Sequence, residues 1–381
     1  MSNNIPGPTR KPTKKKVFSL EDFKKKVGGE DSPAKPLEWY NCSPAVQKAT
    51  GLPGFPKGYV SLSRGFSNTG KSTSVLEAAV NAQKQGDMVI FFDTENNIGR
   101  ERLKLMGFDW NGNYLYLDNE YLLINFGKKK DKDRNEATIE DQADAINYFL
   151  NLQELGELPF NILFVIDSLG TLDCVRSINA QEKGTSDNNM WNAGAFEHSF
   201  KSIINSRIPA SRKQSKQYTN TLIAVQKIWI DSLGAGVVKH KGGEAFFFGA
   251  RLIYHHGGVA AHGTKLVGAT SKGRTVNYGI ETKINVVKNH IDGPKGGISL
   301  EGVLVSTPHG FIFKEDIDKY KKEHILYFRN ILEDETLTSD EILTKFSDVI
   351  DGEEEMNVEN INDTMKENFG KLNTDTTSEE I

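Results

Sequence analysis

The stretch GFSNTGKST, Gly65 to Thr73, decides the reading of this chain. It follows the strand-like GYVSLSR and opens KSTSVLEAAVNAQKQ, where Val75, Leu76, Ala79 and Val80 recur at helical spacing. Gly65, Gly70, Lys71 and Ser72 fill every fixed position of the pattern G-x-x-x-x-G-K-[ST]. Two glycines let consecutive backbone N–H groups converge on one anion, and the helix that follows begins there with its positive dipole end. Phe66, Ser67, Asn68, Thr69 and Thr73 complete the loop. Lys71 is placed for β/γ-phosphates and the Ser72 hydroxyl for Mg²⁺. Strand, loop and helix in that order predict a site for ATP and Mg²⁺.

Two more strand ends supply what such a site needs. NILFVIDS closes a buried apolar run with Asp167, the arrangement that holds Mg²⁺ beside a P-loop. MVIFFDTEN ends with Asp93 and Glu95. Glu95, with its longer side chain, is the candidate base for the attacking water, and Asp93 reads more simply as a turn cap. TLIAVQKIW ends with Gln226, a neutral amide able to contact a γ-phosphate and move when it leaves. Beyond it, KIWIDSLGAGVVKHKGGEA combines Trp229 with Lys227, Lys239, His240 and Lys241 and four glycines. An aromatic ring for stacking and amines for phosphates in a Gly-rich segment suit single-stranded nucleic acid; a plain surface loop is the alternative.

The bulk of the chain frames these motifs. Its 381 residues predict one large domain with attachments. No apolar run is long enough to cross a bilayer, and the start MSNNIPGPTRKPTKKK lacks the apolar segment of a signal peptide. Cys42 and Cys174 have no metal-ligand spacing, which fits a reducing cytoplasm. The net charge of −4 conceals an asymmetry: from Ile331 onward 16 acidic residues face 3 lysines, so the first 330 residues carry +9. A basic body with an acidic tail suits a polyanionic partner, with a tail that either competes for the same surface or only solubilises.

Along the chain, 1–36 divides into a polar basic stretch and one short amphipathic helix, VFSLEDFKKKV. The span 37–313 reads as an α/β core with a mostly parallel sheet, 314–350 as a helical region beginning EDIDKYKKEHILYFRNIL, and 351–381 as an acidic tail. Helical patterns separate the first five strands, whereas ARLIYHH, KINVV and GISLEGVLVS lie close together and predict antiparallel additions at one edge. GKKKDKDRNE and PASRKQSKQYTN read as surface inserts.

The P-loop, FFDTE, FVIDSLGTL, LIAVQ with a segment ending GGEA, and VVKNHI, in that order, resemble the RecA recombinase family, with the phage UvsX-type members nearest. The resemblance covers about Gly54 to Phe313. It implies a RecA-like P-loop ATPase that forms helical homo-oligomers on single-stranded DNA, pairs it with double-stranded DNA, and works in recombination, repair and replication. It assigns the water-activating role to Glu95, γ-phosphate sensing to Gln226, and DNA contact to 227–241 and to EKGTSDNNM with Lys183. Gly242 and Gly243 close that DNA set. Lys288, and His290 where the family carries Lys or Arg, are implied to reach a neighbour's nucleotide, and Arg102 to stack on adenine. The 17–27 helix is implied to dock on a neighbouring subunit, and a single-strand-binding protein and a loading mediator are the implied accessory partners. A hexameric helicase or motor on the same core, or a non-hydrolysing DNA-binding module, are the alternative readings.

Overall fold

Successive residues of the run Met88–Phe92 belong alternately to two apolar cores. Met88, Ile90 and Phe92 pack with Ile162, Phe164, Ile166, Leu222 and Ala224, while Val89 and Phe91 pack with Leu163, Val165, Ile223 and Val225. A period of two with both faces apolar belongs to inner strands of a sheet covered on both sides.

The computed structural model describes residues 34–127, 134–184, 189–230, 238–240, 242–258, 265–291 and 302–338, with Ser19 and Glu21. Apart from those two residues the expected arm helix lies outside them, as do Lys241, most of GKKKDKDRNE, the part of the expected C-terminal helical region after residue 338, and the acidic tail.

In chain order the strands are β1 (Trp39–Asn41), β2 (Gly54–Pro56), β3 (Val60–Gly65), β4 (Met88–Asp93), β5 (Tyr114–Leu117) and β6 (Ile162–Leu169). They continue with β7 (Asn220–Ile230), β8 (Val238–His240), β9 (Leu252–Gly258), β10 (Lys265–Ser271), β11 (Arg274–Asn289), β12 (Leu304–Thr307) and β13 (Gly310–Phe313). The main helices are α1 (Pro44–Thr50), α2 (Lys71–Lys84), α3 (Arg100–Leu105), α4 (Ile139–Glu154), α5 (Val175–Glu182) and α6 (Asn189–Ser202). After them come α7 (Gly243–Gly249), α8 (Ile317–Glu323) and α9 (Ile325–Leu332).

The central sheet has the order β13-β12-β11-β9-β3-β7-β6-β4-β5, with β10 on β11 and β8 on β7. From β9 to β5 all neighbours are parallel, which gives the α/β architecture expected from the sequence. α2 covers one face and α4 and α6 the other. ARLIYHH differs from expectation: β9 lies parallel to β3, with Leu62 opposite Ile253 and Gly65 opposite His256. The helix α7 between β7 and β9 carries the chain back to the starting end, so a crossover replaces the turn that proximity in sequence suggested. KINVV and GVLVS do form antiparallel additions, in β11 and β12. The hairpin β10–β11 was not foreseen; it closes on Lys272 and Gly273, both at positive φ (48° and 82°), the geometry that matches the twist of two paired strands.

The connection from β3 to β4 passes over β7 and β6, whereas β9 lies on the other side of β3. The sheet therefore has a switch point beside β3, and ligand crevices form outside the carboxyl ends of strands at such points. Gly65, Asp93, Asp167 and Gln226 all stand at those ends, with Asp93 opposite Asp167 and Gly65 opposite Lys227.

α8 and α9 pack on the far strands through a small cluster of Val267, Ala269, Tyr278, Val305, Tyr320, Phe328 and Leu332. The single long helix expected at EDIDKYKKEHILYFRNIL is broken at His324 (φ −116°, ψ 36°), which lets both halves bury aromatic rings there. Cys42 and Cys174 are buried free thiols. Among the described residues no helix is long and apolar enough to cross a membrane.

Candidate nucleotide site and the adjoining ribbon

α2 begins at Lys71, and Gly70 caps it in the left-handed conformation (φ 82°, ψ 13°). A Cβ at Gly70 would lie 2.8 Å from the Phe311 ring, so glycine is required both by backbone angle and by the approach of the β12–β13 hairpin. A Cβ at Gly65 would lie 2.3 Å from the His256 carbonyl. Between them Ser67 and Asn68 are exposed, Asn68 at φ 54°. The Phe66 carbonyl accepts hydrogen bonds from the Lys71 ammonium and from Thr69 Oγ1. The Thr282 hydroxyl donates to the Thr69 carbonyl at 2.9 Å, so β11 supports the loop from behind.

A polar cluster fixes the first turn of α2. Ser63 and Ser74 hydroxyls donate to the Lys71 carbonyl (3.1 and 2.8 Å), and His256 Nε2 lies 2.9 Å from Ser63 Oγ. His256 has no exposed surface, and burial, then Lys71 and His255, push its pKa down to about 3. It is neutral at physiological pH. Arg102, expected to stack on adenine, donates from its guanidinium to the Thr73 hydroxyl, which pairs with Ser306 Oγ at 2.6 Å.

The strand-end carboxylates have distinct environments. Asp93 is fully buried and accepts from the backbone N–H groups of Asn97 (3.0 Å) and Ile98 (2.8 Å) and from the Tyr116 hydroxyl, which makes it a turn cap. Asp167 is also buried; burial pushes it up to about 6, a hydrogen bond from Ser72 opposes this, and Glu95 and Asp93 add to it. Burial likewise brings Lys71 down to about 8, helped by Lys227 and opposed by Asp167 and Glu95. Burial makes each charge costlier to hold, and a ligand of opposite charge offsets that cost: a phosphate for Lys71, a cation for Asp167. A hydroxyl and a carboxylate, oxygen donors only, suit a hard ion such as Mg²⁺, so Ser72 and Asp167 fit the metal role.

Glu95 is tightly held. Its Oε1 takes the Lys227 ammonium at 2.7 Å and the Ser168 hydroxyl, and Oε2 takes Asn97 Nδ2 at 2.6 Å. Burial alone would raise its pKa, but these three donors outweigh it and hold the carboxylate low. Lys227, expected to contact DNA, is thus placed on the candidate base.

The segment after Gln226 begins as regular structure. β7 continues to Ile230 and pairs antiparallel with β8, setting Ile228 opposite His240 and Trp229 opposite Lys239. Gln226 is fully buried, whereas Trp229 is 41% exposed and Lys239 is exposed. Gly242 and Gly243, expected to contact DNA, form the start of α7. Gly242 is a buried N-cap at φ 87°, and a Cβ on it would lie 2.9 Å from that of Leu169, two residues beyond Asp167. The root of the ribbon is therefore packed on the strand that carries the metal candidate. Lys183 is exposed at the end of α5.

Lys288 and His290 stand away from this chain's own P-loop. Lys288 pairs with Ile253, and Ile253 with Leu62, three residues or about 10 Å before Gly65. The Lys288 ammonium bonds the Phe247 and Phe248 carbonyls at 3.0 and 2.9 Å, at the negative end of α7. His290 is exposed.

Sequence reasoning missed Ser168 and Asn97 as partners of Glu95, although Ser168 adjoins Asp167. It also missed Ser306, Phe311, Thr282 and His256, which reach the P-loop from far along the chain and carry no local pattern.

A scan against protein-family models matches none. Among curated proteins, the chain is 35% identical to the RecA protein of Mesomycoplasma hyopneumoniae over 98 residues, 24% of this chain and 29% of that protein. To the RecA protein of Aquifex aeolicus it is 32% identical over 111 residues, 27% of this chain and 32% of the relative. To the RecA protein of Streptomyces venezuelae it is 27% identical over 297 residues, 74% of this chain and 68% of the relative. The first of these matches therefore spans under a third of the relative. With the parallel sheet and its flanking helices, the similarity gives the core its description: a RecA-like P-loop ATPase fold.

Proposed function

We propose that the chain is an ATP-hydrolysing, DNA-dependent recombinase, which assembles on single-stranded DNA and exchanges it into a homologous double strand. The likeness to curated RecA proteins supports the family-level reading. One observation carries the rest: the strand holding Gln226 beside the P-loop continues without a break into the ribbon bearing Trp229 and Lys239. A change at the nucleotide is thereby linked by rigid backbone to an aromatic, cationic surface suited to a single strand.

In this reading Lys71 leaves the Phe66 carbonyl for the β/γ-phosphates, to which the N–H groups of residues 66–73 also turn. Ser72 and Asp167 hold Mg²⁺, which supplies charge neutralisation at the phosphates. Glu95 orients and deprotonates the attacking water, and Gln226 registers the γ-phosphate. Lys288 and His290, out of reach of their own P-loop, serve a neighbouring copy, which favours a helical homo-oligomer. The likeness to phage UvsX-type members, accessory single-strand-binding and loading proteins, action in recombination, repair and replication, and residence in the cytoplasm (the host's, for a viral protein) belong to the same proposal.

The test is ATP turnover with and without single-stranded DNA, alongside strand exchange and electron microscopy of the complex. DNA-stimulated turnover, strand exchange and filaments are expected. Closed rings that unwind duplex without exchanging strands would replace the recombinase by a hexameric motor.

A further inference from the structure

We propose that Lys227 restrains Glu95, and that a phosphate of the bound single strand draws Lys227 away and so releases the base for hydrolysis. The inference rests on the function proposed above and specifies how DNA regulates that site.

The argument starts from strand geometry. Side chains alternate along β7, so Gln226 and Ile228 point to one side and Lys227 and Trp229 to the other. Exposure follows this alternation: Gln226 and Ile228 are 0% and 5% exposed, the Lys227 side chain 39% and Trp229 41%. Lys239 stands opposite Trp229 on β8. Lys227, at the edge of the central sheet where the ribbon starts, thus shares one face of β7 with Trp229, and Lys239 stands beside Trp229: a cation–aromatic–cation group. Residues two apart on a strand are about 7 Å apart, so a base stacked on Trp229 carries its phosphates into reach of Lys227.

The other end of Lys227 explains why this matters. Glu95 Oε1 already receives two hydrogen bonds, from Lys227 and Ser168, and a carboxylate oxygen has two lone-pair sites. Oε2 takes one hydrogen bond, from Asn97, and keeps one acceptor site. Oε1, the oxygen that Lys227 holds, has none left for the hydrogen of an attacking water, and the ammonium on it makes the whole carboxylate a weaker base. Asn97 and Ser168 are neutral donors on the catalytic side, whereas Lys227 alone of the three lies on β7, the strand that continues into the ribbon. A DNA phosphate offers its ammonium an equivalent charge-assisted bond, and the exchange frees one site on Oε1. The ribbon then does two things at once: it holds the strand and unlocks the base.

The experiment measures ATP turnover of the full-length protein with and without an oligothymidylate, in wild type, Lys227→Gln and Lys227→Arg, with strand affinity measured separately by fluorescence anisotropy. Lys227→Gln is expected to raise DNA-free kcat by about tenfold at unchanged KM, the scale of one charged hydrogen bond, and to bring the ratio of stimulated to basal rates close to one. Lys227→Arg, still able to bridge to Glu95, is expected to restore the low basal rate. DNA-free turnover of a folded Lys227→Gln protein at or below that of wild type overturns the restraint, and so does an arginine variant as active without DNA as the glutamine variant. If the wild type itself shows DNA-stimulated turnover, such a result removes the restraint and leaves the proposed function standing. Absence of any DNA-dependent turnover in the wild type removes both.

Discussion

At the residue scale, the site is governed by what burial does to charge. Burial brings Lys71 down to about 8 and Asp167 up to about 6, and a ligand of opposite charge offsets that cost for each. Removing Lys71 differs from removing Glu95. Lys71→Ala is expected to abolish nucleotide binding and turnover together, because the phosphates lose their charge partner. Glu95→Gln keeps size and hydrogen bonding, so nucleotide affinity is expected to survive while kcat falls by ~10²-fold or more, the usual loss for a general base. Equilibrium binding of a fluorescent ATP analogue beside steady-state turnover separates the two; parallel loss in the Glu95→Gln protein would assign that side chain a structural role.

His256 gives a pH-dependent counterpart. Its folded pKa of about 3 lies below the ordinary value of 6.5, so between these values the unfolded chain binds the extra proton. Its contribution is complete above pH 6.5 and is lost as pH falls, by up to about 1.4 kcal/mol per pH unit. Glu77 and Asp167, raised to about 7 and about 6, act oppositely over the same range, so wild-type stability alone is ambiguous. The difference between wild type and His256→Gln isolates the imidazole. In urea unfolding from pH 7.5 to 5, the advantage of wild type over the variant is expected to shrink; a constant difference would mean that His256 is solvated or already charged in the fold.

At the scale of elements, the ribbon β7–β8 was expected as a loop and is instead a paired stem. Trp229→Ala is expected to weaken single-strand binding by ~1–3 kcal/mol for a stacked base, with little sequence preference. Lys239→Ala is expected to lower the slope of log affinity against log salt by about one, the signature of one lost phosphate contact. Titrations of labelled oligonucleotides at several salt concentrations distinguish the two. Unimpaired binding by Trp229→Ala would remove the ribbon from the DNA surface. Part of this element is legible in composition: the strand holding Gln226, the aromatic and the lysines; the strand's continuation past Gln226 to Ile230 is not. The pairing of Trp229 with Lys239 is not either, because nine residues separate them and the intervening glycines resemble an open loop. Gly242 and Gly243, expected to contact DNA, also have a structural part that the sequence does not show. Their sequence shows permissive backbone, but only packing shows that Gly242 is needed to let Leu169 approach.

At the scale of the whole molecule, Lys288 and His290 stand too far from their own P-loop to complete it. If they complete a neighbour's site, two inactive proteins should repair one another. Lys71→Ala and Lys288→Ala are each expected to be inactive alone, while an equimolar mixture regains about a quarter of wild-type turnover, because random head-to-tail assembly unites an intact P-loop with an intact lysine at one interface in four. A mixture that stays inactive, with both proteins folded by circular dichroism, would confine Lys288 to its bond with the end of α7.

What the sequence determined by itself is the set of features written in consecutive residues. The P-loop, the apolar strands and the polar groups at their carboxyl ends follow from local periodicity and from the few residue types that can hold phosphate and Mg²⁺. Asp93 as a turn cap was equally readable. The tertiary structure decided whatever depends on which strand lies beside which. It made β9 parallel to β3, since α7 supplies a crossover that spacing alone could not reveal. It brought Phe311, Ser306 and His256 against the P-loop from more than 180 residues away, and it set Lys227 on Glu95 across the gap between two strand ends. A hydrogen bond fixes a distance in space and leaves no period along the chain, so these partners became visible only once the sheet was assembled.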